Sequence, residues 1–167
     1  MIEFFSFQSP IGFISIVAMK EGVLTISFEN KSRESIDKWC LKHLGIGIIP
    51  GNKYTKNAQN QITRYLCGKR KTLNFPVIHL NSTFYKKVLD AERKIPYGET
   101  RSYQDMAMIL ENPKALRAVG GANANNPLPL YYPCHRIICT DGSLGGFGGG
   151  LHIKQFLLEV ESQNSLG

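Results

Sequence analysis

The sequence predicts an α/β (α+β) protein with a small N-terminal α/β lobe, residues 1–80, followed by a mainly helical C-terminal domain, residues 81–167. The first observation is that β-rich apolar runs are concentrated before residue 80. The second is that helical spacing with capping residues dominates the rest of the chain. The third is a pair of short helical patterns separated by Asn112-Pro113, which predicts a winged-helix-like helix-turn-helix.

Three β-strands are expected in the N-terminal lobe. Residues 11–18 and 23–28 are β-rich, and the four residues between them end in Gly22, which suits a hairpin turn. Residues 73–78 form the third run, and Pro76 favours an edge position because proline cannot donate to a strand ladder. The periodic apolar positions of this lobe are interpreted as core, so the lobe is expected to be a scaffold.

Three helices precede the helix-turn-helix. Residues 34–44 and 57–67 show helical patterns in the N-terminal lobe. A third helix begins at a cap provided by Ser82 or Thr83 and is stopped by Pro96. The apolar faces of the second and third helices comprise Ala58, Ile62, Tyr65, Leu66, Phe84, Val88, Ala91 and Ile95.

The helix-turn-helix is expected to begin with Ser102 as the cap of a helix over residues 103–110, followed by a second helix over residues 113–123. The inward positions are Met106, Ile109, Leu110, Ala115, Leu116, Val119 and Ala122. The outer face of the second helix carries Lys114, Arg117, Ala118 and Gly121. Two cations beside two very small residues would let nucleic acid approach the helix closely. The alternative is a small-residue stripe packed against another helix.

The most informative stretch is residues 126–138, in which three prolines lead to Cys134. Because proline fixes its own φ and restricts the preceding residue, Cys134 is held on a stiff path. A cation such as His135 or Arg136 would lower the pKa of a reactive thiol. Neighbouring strand residues point to opposite faces, so His135 can serve Cys134 only if the chain turns there or a water bridges the two. We predict a turn at Cys134. The alternative is an inert buried cysteine.

The last segments are a glycine-rich loop over residues 141–150 and a helix over residues 151–161. The loop lacks the lysine of a phosphate-binding loop, so we interpret it as backbone that can lie against a flat ligand, with a flexible connector as the alternative. The inward positions of the helix are Ile153, Phe156, Leu157 and Val160.

The net charge of +7 favours a polyanionic partner. The chain lacks a basic leader and any apolar run of membrane-spanning length, so a cytoplasmic protein without membrane contact is expected. The four cysteines are widely spaced and, with His79, form no convincing ligand set, so neither a disulfide framework, a metal site nor a cofactor is predicted.

The run Pro133-Cys134-His135-Arg136-Ile137-Ile138, preceded by Asn126-Pro127-Leu128-Pro129 and followed by the glycine-rich loop, resembles the signature of the methylated-DNA-protein-cysteine methyltransferases. The resemblance extends from about residue 84 to residue 161. It implies a DNA repair enzyme that moves the alkyl group of O6-alkylguanine onto its own Cys134, once per molecule. Its partner would be double-stranded DNA, bound by a monomer through the minor groove with the damaged base flipped out.

The resemblance also implies roles for particular residues. The catalytic set would be the nucleophile Cys134, the base His135, its orienting carboxylate Glu161, and Tyr103, which would donate to the guanine oxygen. Arg117 would fill the gap left by the extruded base. The remaining DNA contacts would be Tyr103, Lys114, Ala118 and Gly121. The substrate pocket and hinge would comprise Asn126, Pro133, Ile137, Phe147, Gly148 and Lys154.

Three other functions compete with this interpretation. A cysteine hydrolase could use the same Cys134, His135 and Glu161, but it would leave Arg117 without a role. A damage-binding protein of the alkyltransferase-like kind lacks the cysteine that is present here. A generic winged-helix module would leave the Pro-Cys-His-Arg run unexplained.

Overall fold

A four-stranded sheet forms the first layer of the fold. The computed structural model describes residues 1–165, and the strands are β1 (Ile2–Ser9), β2 (Gly12–Met19), β3 (Gly22–Ser27) and β4 (Ile48–Pro50). Their order is β3-β2-β1-β4, with antiparallel pairing among the first three and parallel pairing between β1 and β4. The prediction of β2 and β3 with the turn between them is confirmed, but β1 and β4 were not predicted.

The strand predicted over residues 73–78 is wrong, although its predicted edge position is right. Only Val77 forms an isolated parallel bridge, to Val23 on the free side of β3. Two hydrogen bonds hold it there, from Val23 N to Pro76 O at 2.9 Å and from Ile78 N to Val23 O at 2.8 Å. Proline cannot donate a hydrogen bond to extend this ladder, so the segment stays extended without becoming a strand.

Two helices complete the N-terminal part, and both predictions are confirmed. Helix α1 (Arg33–Leu44) begins at Ser32, whose hydroxyl accepts from Ser35 N, and ends at Gly45 in the left-handed conformation with φ of 69°. Helix α2 (Lys56–Leu66) buries the four side chains expected on its apolar face, namely Ala58, Ile62, Tyr65 and Leu66.

The remaining elements are α3 (Thr83–Arg93), β5 (Arg101–Ser102), α4 (Tyr103–Ile109), α5 (Leu116–Ala124), β6 (Ile137–Ile138) and α6 (Leu151–Asn164). Ser82 caps α3, and Ser102 caps α4 in a capping box with Asp105. The second helix of the pair was predicted from residue 113 but begins at Leu116. Asn112 accepts from Lys114 N through its side chain and from Ala115 N through its carbonyl, which makes a turn ahead of the helix.

Three side chains that were expected to face inward are exposed instead. Phe84, Ile109 and Leu116 are 44%, 53% and 46% exposed. The buried face of α3 is formed by Val88, Leu89 and Glu92, a stripe rotated from the predicted one because α3 packs against α5 and α4. Helical spacing alone does not decide which of two adjacent stripes is covered.

The main core lies between one face of the sheet and helices α2, α3, α5 and α6. A smaller cluster on the other face joins Ile2, Val17 and Leu24 of the sheet to Ile36 and Cys40 of α1. Since the main core includes residues from both halves of the chain, the division into residues 1–80 and 81–167 stays a prediction. Within residues 1–165, no helix has both the length and the apolar character needed to cross a bilayer.

Candidate active site

Cys134 lies at the first position of a 3₁₀ helix, Cys134–Arg136, so the predicted turn is confirmed. The thiol is 7% exposed. The turn begins because Pro133 adopts ψ of 65°, and Arg136 N then donates to Pro133 O at 2.9 Å. The chain therefore turns at Cys134, and the His135 side chain does not have to leave on the opposite face of a strand.

The segment before Cys134 is fixed by Asn126 and by the sheet. The Asn126 amide donates to Tyr132 O at 3.0 Å, and its Oδ1 accepts from Leu128 N at 2.9 Å. Ile26 N on β3 donates to Pro127 O at 2.9 Å. These bonds satisfy backbone groups that would otherwise be unpaired in an irregular buried segment. The hinge role of Asn126 stays a prediction.

His135 and Glu161 form a completely buried pair. Nε2 of His135 lies 2.6 Å from Oε2 of Glu161, and the side chains are 0% and 1% exposed. Burial alone would raise the pKa of Glu161, but hydrogen bonds from His135 and Arg136 lower it to about 2. The carboxylate is therefore ionised and can only accept, so Nε2 carries the ring proton. Nδ1 of His135 is buried and has no partner within residues 1–165, so it is a free acceptor on the residue that follows Cys134.

Arg136 and Tyr65 complete the environment of Glu161. Arg136 donates from Nε to Oε1 at 2.8 Å and from Nη2 to Oε2 at 3.1 Å. The Tyr65 hydroxyl donates to Oε2, and Gly98 N donates to Oε1 at 3.0 Å. Arg136 was considered as a cation for the Cys134 thiol, but its guanidinium is directed to Glu161 and to a backbone carbonyl. It acts on the carboxylate and not on the nucleophile.

The resting thiol is strongly held in its protonated form. Burial raises the pKa of Cys134 to about 12, and Glu92 adds to this effect when it is ionised, against smaller lowering effects of Asn126 and Lys154. Burial also lowers the pKa of His135, so the imidazole is neutral before reaction. A neutral imidazole with a free Nδ1 can take a proton from the thiol, whereas an imidazolium could not.

Cys134 lines two cavities. The larger, of about 280 Å³, is lined by Tyr103, Gly120, Asn123, Ala124, Cys134, Gly146, Phe147 and Gly148. The smaller, of about 80 Å³, is bounded partly by the end of β3 and the loop after it. Phe147 and Gly148 contribute to both cavities, as the resemblance implied for the pocket. Pro133 lines neither of them, and Ile137 is buried in the core.

Hydrogen bonds from Lys154 and Asn30 hold the glycine-rich loop from two sides. Lys154 is completely buried and donates from Nζ to the carbonyls of Ile137 at 2.6 Å, Gly146 at 3.3 Å and Leu144. Asn30 donates to Gly148 O at 2.6 Å from the N-terminal lobe. Lys154 therefore holds the wall of the cavity in place.

The residues predicted to contact DNA differ in their exposure and packing. Arg117 and Lys114 are exposed, and Tyr103 lies half-buried at the start of α4 where it lines the larger cavity. A Cβ on Gly121 would lie 2.8 Å from the Tyr85 hydroxyl of α3, so the small size of Gly121 is explained by packing. Gly120, which the sequence analysis left out, has open space around its Cα and lines the cavity.

Comparison with known proteins places this site in a family. Residues 83–163 match the family described as 6-O-methylguanine DNA methyltransferase, DNA binding domain. A methylated-DNA–protein-cysteine methyltransferase of Methanosarcina acetivorans is 38% identical over 93% of this chain and 95% of that protein. The chain belongs to the methylated-DNA–protein-cysteine methyltransferase family. The inducible methyltransferase of Bacillus subtilis is 36% identical over 90% of this chain and 84% of its own length.

The likeness to solved methyltransferases extends over nearly the whole fold. The O6-methylguanine methyltransferase of Mycobacterium tuberculosis superposes with a TM-score of 0.83 at 32% identity, over 98% of this chain and 94% of that one. The same enzyme in complex with DNA gives a TM-score of 0.84 at 30% identity, over 97% and 94% of the two chains.

Three polar residues beside the methyltransferase site were missed by sequence reasoning. Tyr65 was assigned to the core from helical spacing, and its hydroxyl contact with Glu161 spans 96 residues of sequence. Glu92 lies in α3 and is completely buried, and Asn123 lines both cavities. Of the three, only Glu92 could have been noticed in the sequence. It lies next to the predicted apolar face of its helix, where a buried carboxyl would be unusual.

Proposed function

We propose that this protein repairs double-stranded DNA by transferring the alkyl group of O6-alkylguanine to Sγ of Cys134. The observation that carries the proposal is the pairing of an ionised Glu161 with Nε2 of His135, next to a cysteine that opens into a cavity lined by Tyr103. This arrangement provides a nucleophile, a base with a free nitrogen and a hydroxyl donor around one space.

The reaction begins with a proton transfer. The Cys134 thiol gives its proton to Nδ1 of His135, directly or through one water, because Nε2 is occupied by Glu161. The imidazolium that forms is stabilised by the Glu161 carboxylate at 2.6 Å. Since burial holds the thiol in its protonated form, the base is needed at neutral pH.

The thiolate then attacks the alkyl carbon bound to O6 of guanine. The new S–C bond forms as the C–O6 bond breaks, and the bonding electrons of C–O6 leave with guanine. The Tyr103 hydroxyl lines the same cavity and donates to the departing base. Burial raises the pKa of Tyr103, so its hydroxyl stays protonated and stabilises the developing charge on guanine as a hydrogen-bond donor. The departing guanine takes up a proton from solvent as the His135 imidazolium gives one up, so the thiol proton ends on guanine.

Access to the site requires the damaged nucleotide to leave the duplex. The cavity of about 280 Å³ is close to the lower end of small-molecule pockets, about 300 Å³, and so suits a single base rather than a stacked pair. Arg117 is exposed on α5 and could occupy the vacated stack, while Lys114 could contact the phosphate backbone. These contacts follow the expectations set by the resemblance.

Each molecule reacts once. The product is a thioether, which has no carbonyl for water to attack. The alkyl group therefore stays on Cys134, and the free thiol is not regenerated. The protein is an enzyme only in this single-turnover sense. A monomeric state, a cytoplasmic location and the absence of a cofactor stay predictions.

The decisive experiment mixes the protein with an equal amount of duplex that carries one O6-methylguanine. Peptide mass spectrometry should find one methyl group on the Cys134 peptide, with an equal yield of unmodified guanine in the duplex. The Cys139→Ala variant should react normally and Cys134→Ala should not react at all. Unmodified Cys134 in reduced, folded protein would refute the proposal, and repeated turnover of an ester substrate would favour a cysteine hydrolase.

A further inference from the structure

A buried carboxyl that the mechanism does not use lies close to the reacting groups. Glu92 in α3 is 0% exposed, and within residues 1–165 neither of its oxygens has a hydrogen-bond partner of regular geometry. When ionised, it raises the pKa of both Cys134 and Tyr103, which line the larger cavity. An ionised carboxylate without partners is strongly unfavourable in such a place, whereas a neutral carboxylic acid is not.

The Asn123 side chain connects Glu92 to the cavity. Asn123 lies on α5 and lines the cavity with Tyr103 and Cys134, and its Oδ1 is buried without a partner in the described part of the chain. The Asn123 amide lies close to both the Glu92 carboxyl and the Tyr103 hydroxyl, and donation from its NH₂ group to either oxygen lowers the pKa of that group. Three helices thus bring a carboxyl, an amide and a hydroxyl together, in that order.

We propose that Glu92 is a neutral carboxylic acid that donates its proton to Oδ1 of Asn123 and thereby positions the Asn123 amide against Tyr103. One proton then satisfies the carboxyl and the orphaned amide oxygen together. The Asn123 NH₂ group can donate to the Tyr103 oxygen, which leaves the hydroxyl proton free for O6 of guanine. Glu92 is a positioning residue, and its kinetic role rests on the proposed function.

The charged and titratable groups around Glu92 come from three other elements. They are Lys154 of α6, Tyr103 of α4 and Cys134 of the 3₁₀ helix. Burial outweighs the opposing effects of Asn123 and Lys154 and raises the pKa of Glu92 to about 8. Glu92 is therefore neutral below this pH. Above it, the new negative charge raises the pKa of Cys134 and of Tyr103, which opposes both thiolate formation and proton donation.

The protonation state can be measured without any substrate. Protein labelled with ¹³C at the glutamate carboxyls should show one carbon that titrates near pH 8 and is missing from Glu92→Gln. A Glu92 carbon that titrates at or below the ordinary value of 4.5 would overturn the proposal. This result does not depend on alkyl transfer, so it separates a failure of the inference from a failure of the proposed function.

The positioning role is tested with free O6-benzylguanine and three variants. Glu92→Gln keeps a donor for Asn123, so its rate at pH 7 should stay within about twofold of the unaltered protein, whereas Glu92→Leu should react about tenfold more slowly. Above pH 8 the rate of Glu92→Gln should keep rising with pH where that of the unaltered protein flattens. Glu99→Gln, an exposed glutamate paired with Arg101, is the matched control and should change neither result.

Equal rates for Glu92→Gln and Glu92→Leu, or the same flattening in Glu92→Gln, would overturn the positioning role. If Glu92→Leu does not fold, the pH profile of Glu92→Gln still decides the question. A purely structural role would change the melting temperature of the variants and leave the pH profile unaltered.

Discussion

Oε2 of Glu161 lies 2.6 Å from Nε2 of His135, and this contact decides which nitrogen of the imidazole can act as a base. The same carboxylate also accepts hydrogen bonds from Tyr65 and Arg136. One buried charge therefore connects α2, the 3₁₀ helix and α6. A group with this many partners should affect both stability and reactivity, and the two effects can be measured separately.

The stability of the fold should depend on pH through Glu161. Its pKa is about 2 in the folded protein against 4.5 ordinarily, so its contribution is complete above pH 4.5 and is lost as pH falls through about 2. The shift corresponds to about 3 kcal/mol in the free energy of unfolding. Urea unfolding between pH 5 and pH 2 should show this loss in the unaltered protein and not in Glu161→Gln. If the free energy of unfolding fell equally with pH in the two proteins, this role of Glu161 would be contradicted.

The reactivity of Cys134 should move to higher pH in Glu161→Gln. Without the carboxylate, the imidazolium loses its counter-charge, so His135 becomes a weaker base and more hydroxide is needed to form the thiolate. We expect the rate at pH 7 to fall by about 100-fold. The measurement is the pH profile of alkyl transfer from free O6-benzylguanine. Glu159→Gln, an exposed change on the same helix, should leave the profile as it is, and an unshifted Glu161→Gln profile would remove the carboxylate from the mechanism.

Arg117→Ala should slow the repair of duplex DNA without slowing alkyl transfer from a free base. The side chain is exposed on α5 and does not line the cavity that contains Cys134, so the reaction with free O6-benzylguanine should be nearly unchanged. Repair of duplex that carries O6-methylguanine should slow by at least about tenfold, because the vacated stack would remain empty. The comparison requires both rates on one preparation. Equal losses with the two substrates would exclude Arg117 as the residue that fills the gap.

Lys154→Met should loosen the glycine-rich loop. The change keeps side-chain length but removes the donor shared by the carbonyls of Ile137, Leu144 and Gly146. Hydrogen exchange measured by mass spectrometry should become faster across residues 141–150, and alkyl transfer should slow because the cavity wall is no longer held. Lys94→Met, at an exposed position, is the control. Unchanged exchange in the loop would show that other contacts hold it.

Local patterns succeeded where one element could be recognised by itself. The caps Ser82 and Ser102 predicted the starts of α3 and α4, because a capping hydroxyl bonds to a backbone N–H only three residues away. The turn at Cys134 was predicted because neighbouring strand residues point to opposite faces, so His135 could serve Cys134 only where the chain turns. These interactions need no knowledge of the rest of the chain.

Helical spacing predicted the wrong residues where packing against a second element decides which side of a helix is buried. Leu116 was expected in the core and is exposed, while Gly121, whose place at the DNA face stays a prediction, packs against Tyr85. Both positions lie on α5, and the position of α3 and α4 decides which of its stripes is covered. The spacing of apolar residues indicates how wide the buried face of a helix is, but packing against neighbouring elements decides which side of the helix is buried.

The sequence by itself determined the family and a candidate nucleophile, because the Pro-Cys-His-Arg run places a cysteine beside a histidine on a stiff local path. It also determined most helices and the hairpin, whose bonds are short in sequence. Only the tertiary structure decided that Tyr65 and Glu161, 96 residues apart, share a hydrogen bond, and that Glu92 lies buried beside Asn123. Such pairs arise because a single core brings distant polar groups into a space without water, where each must find its partner.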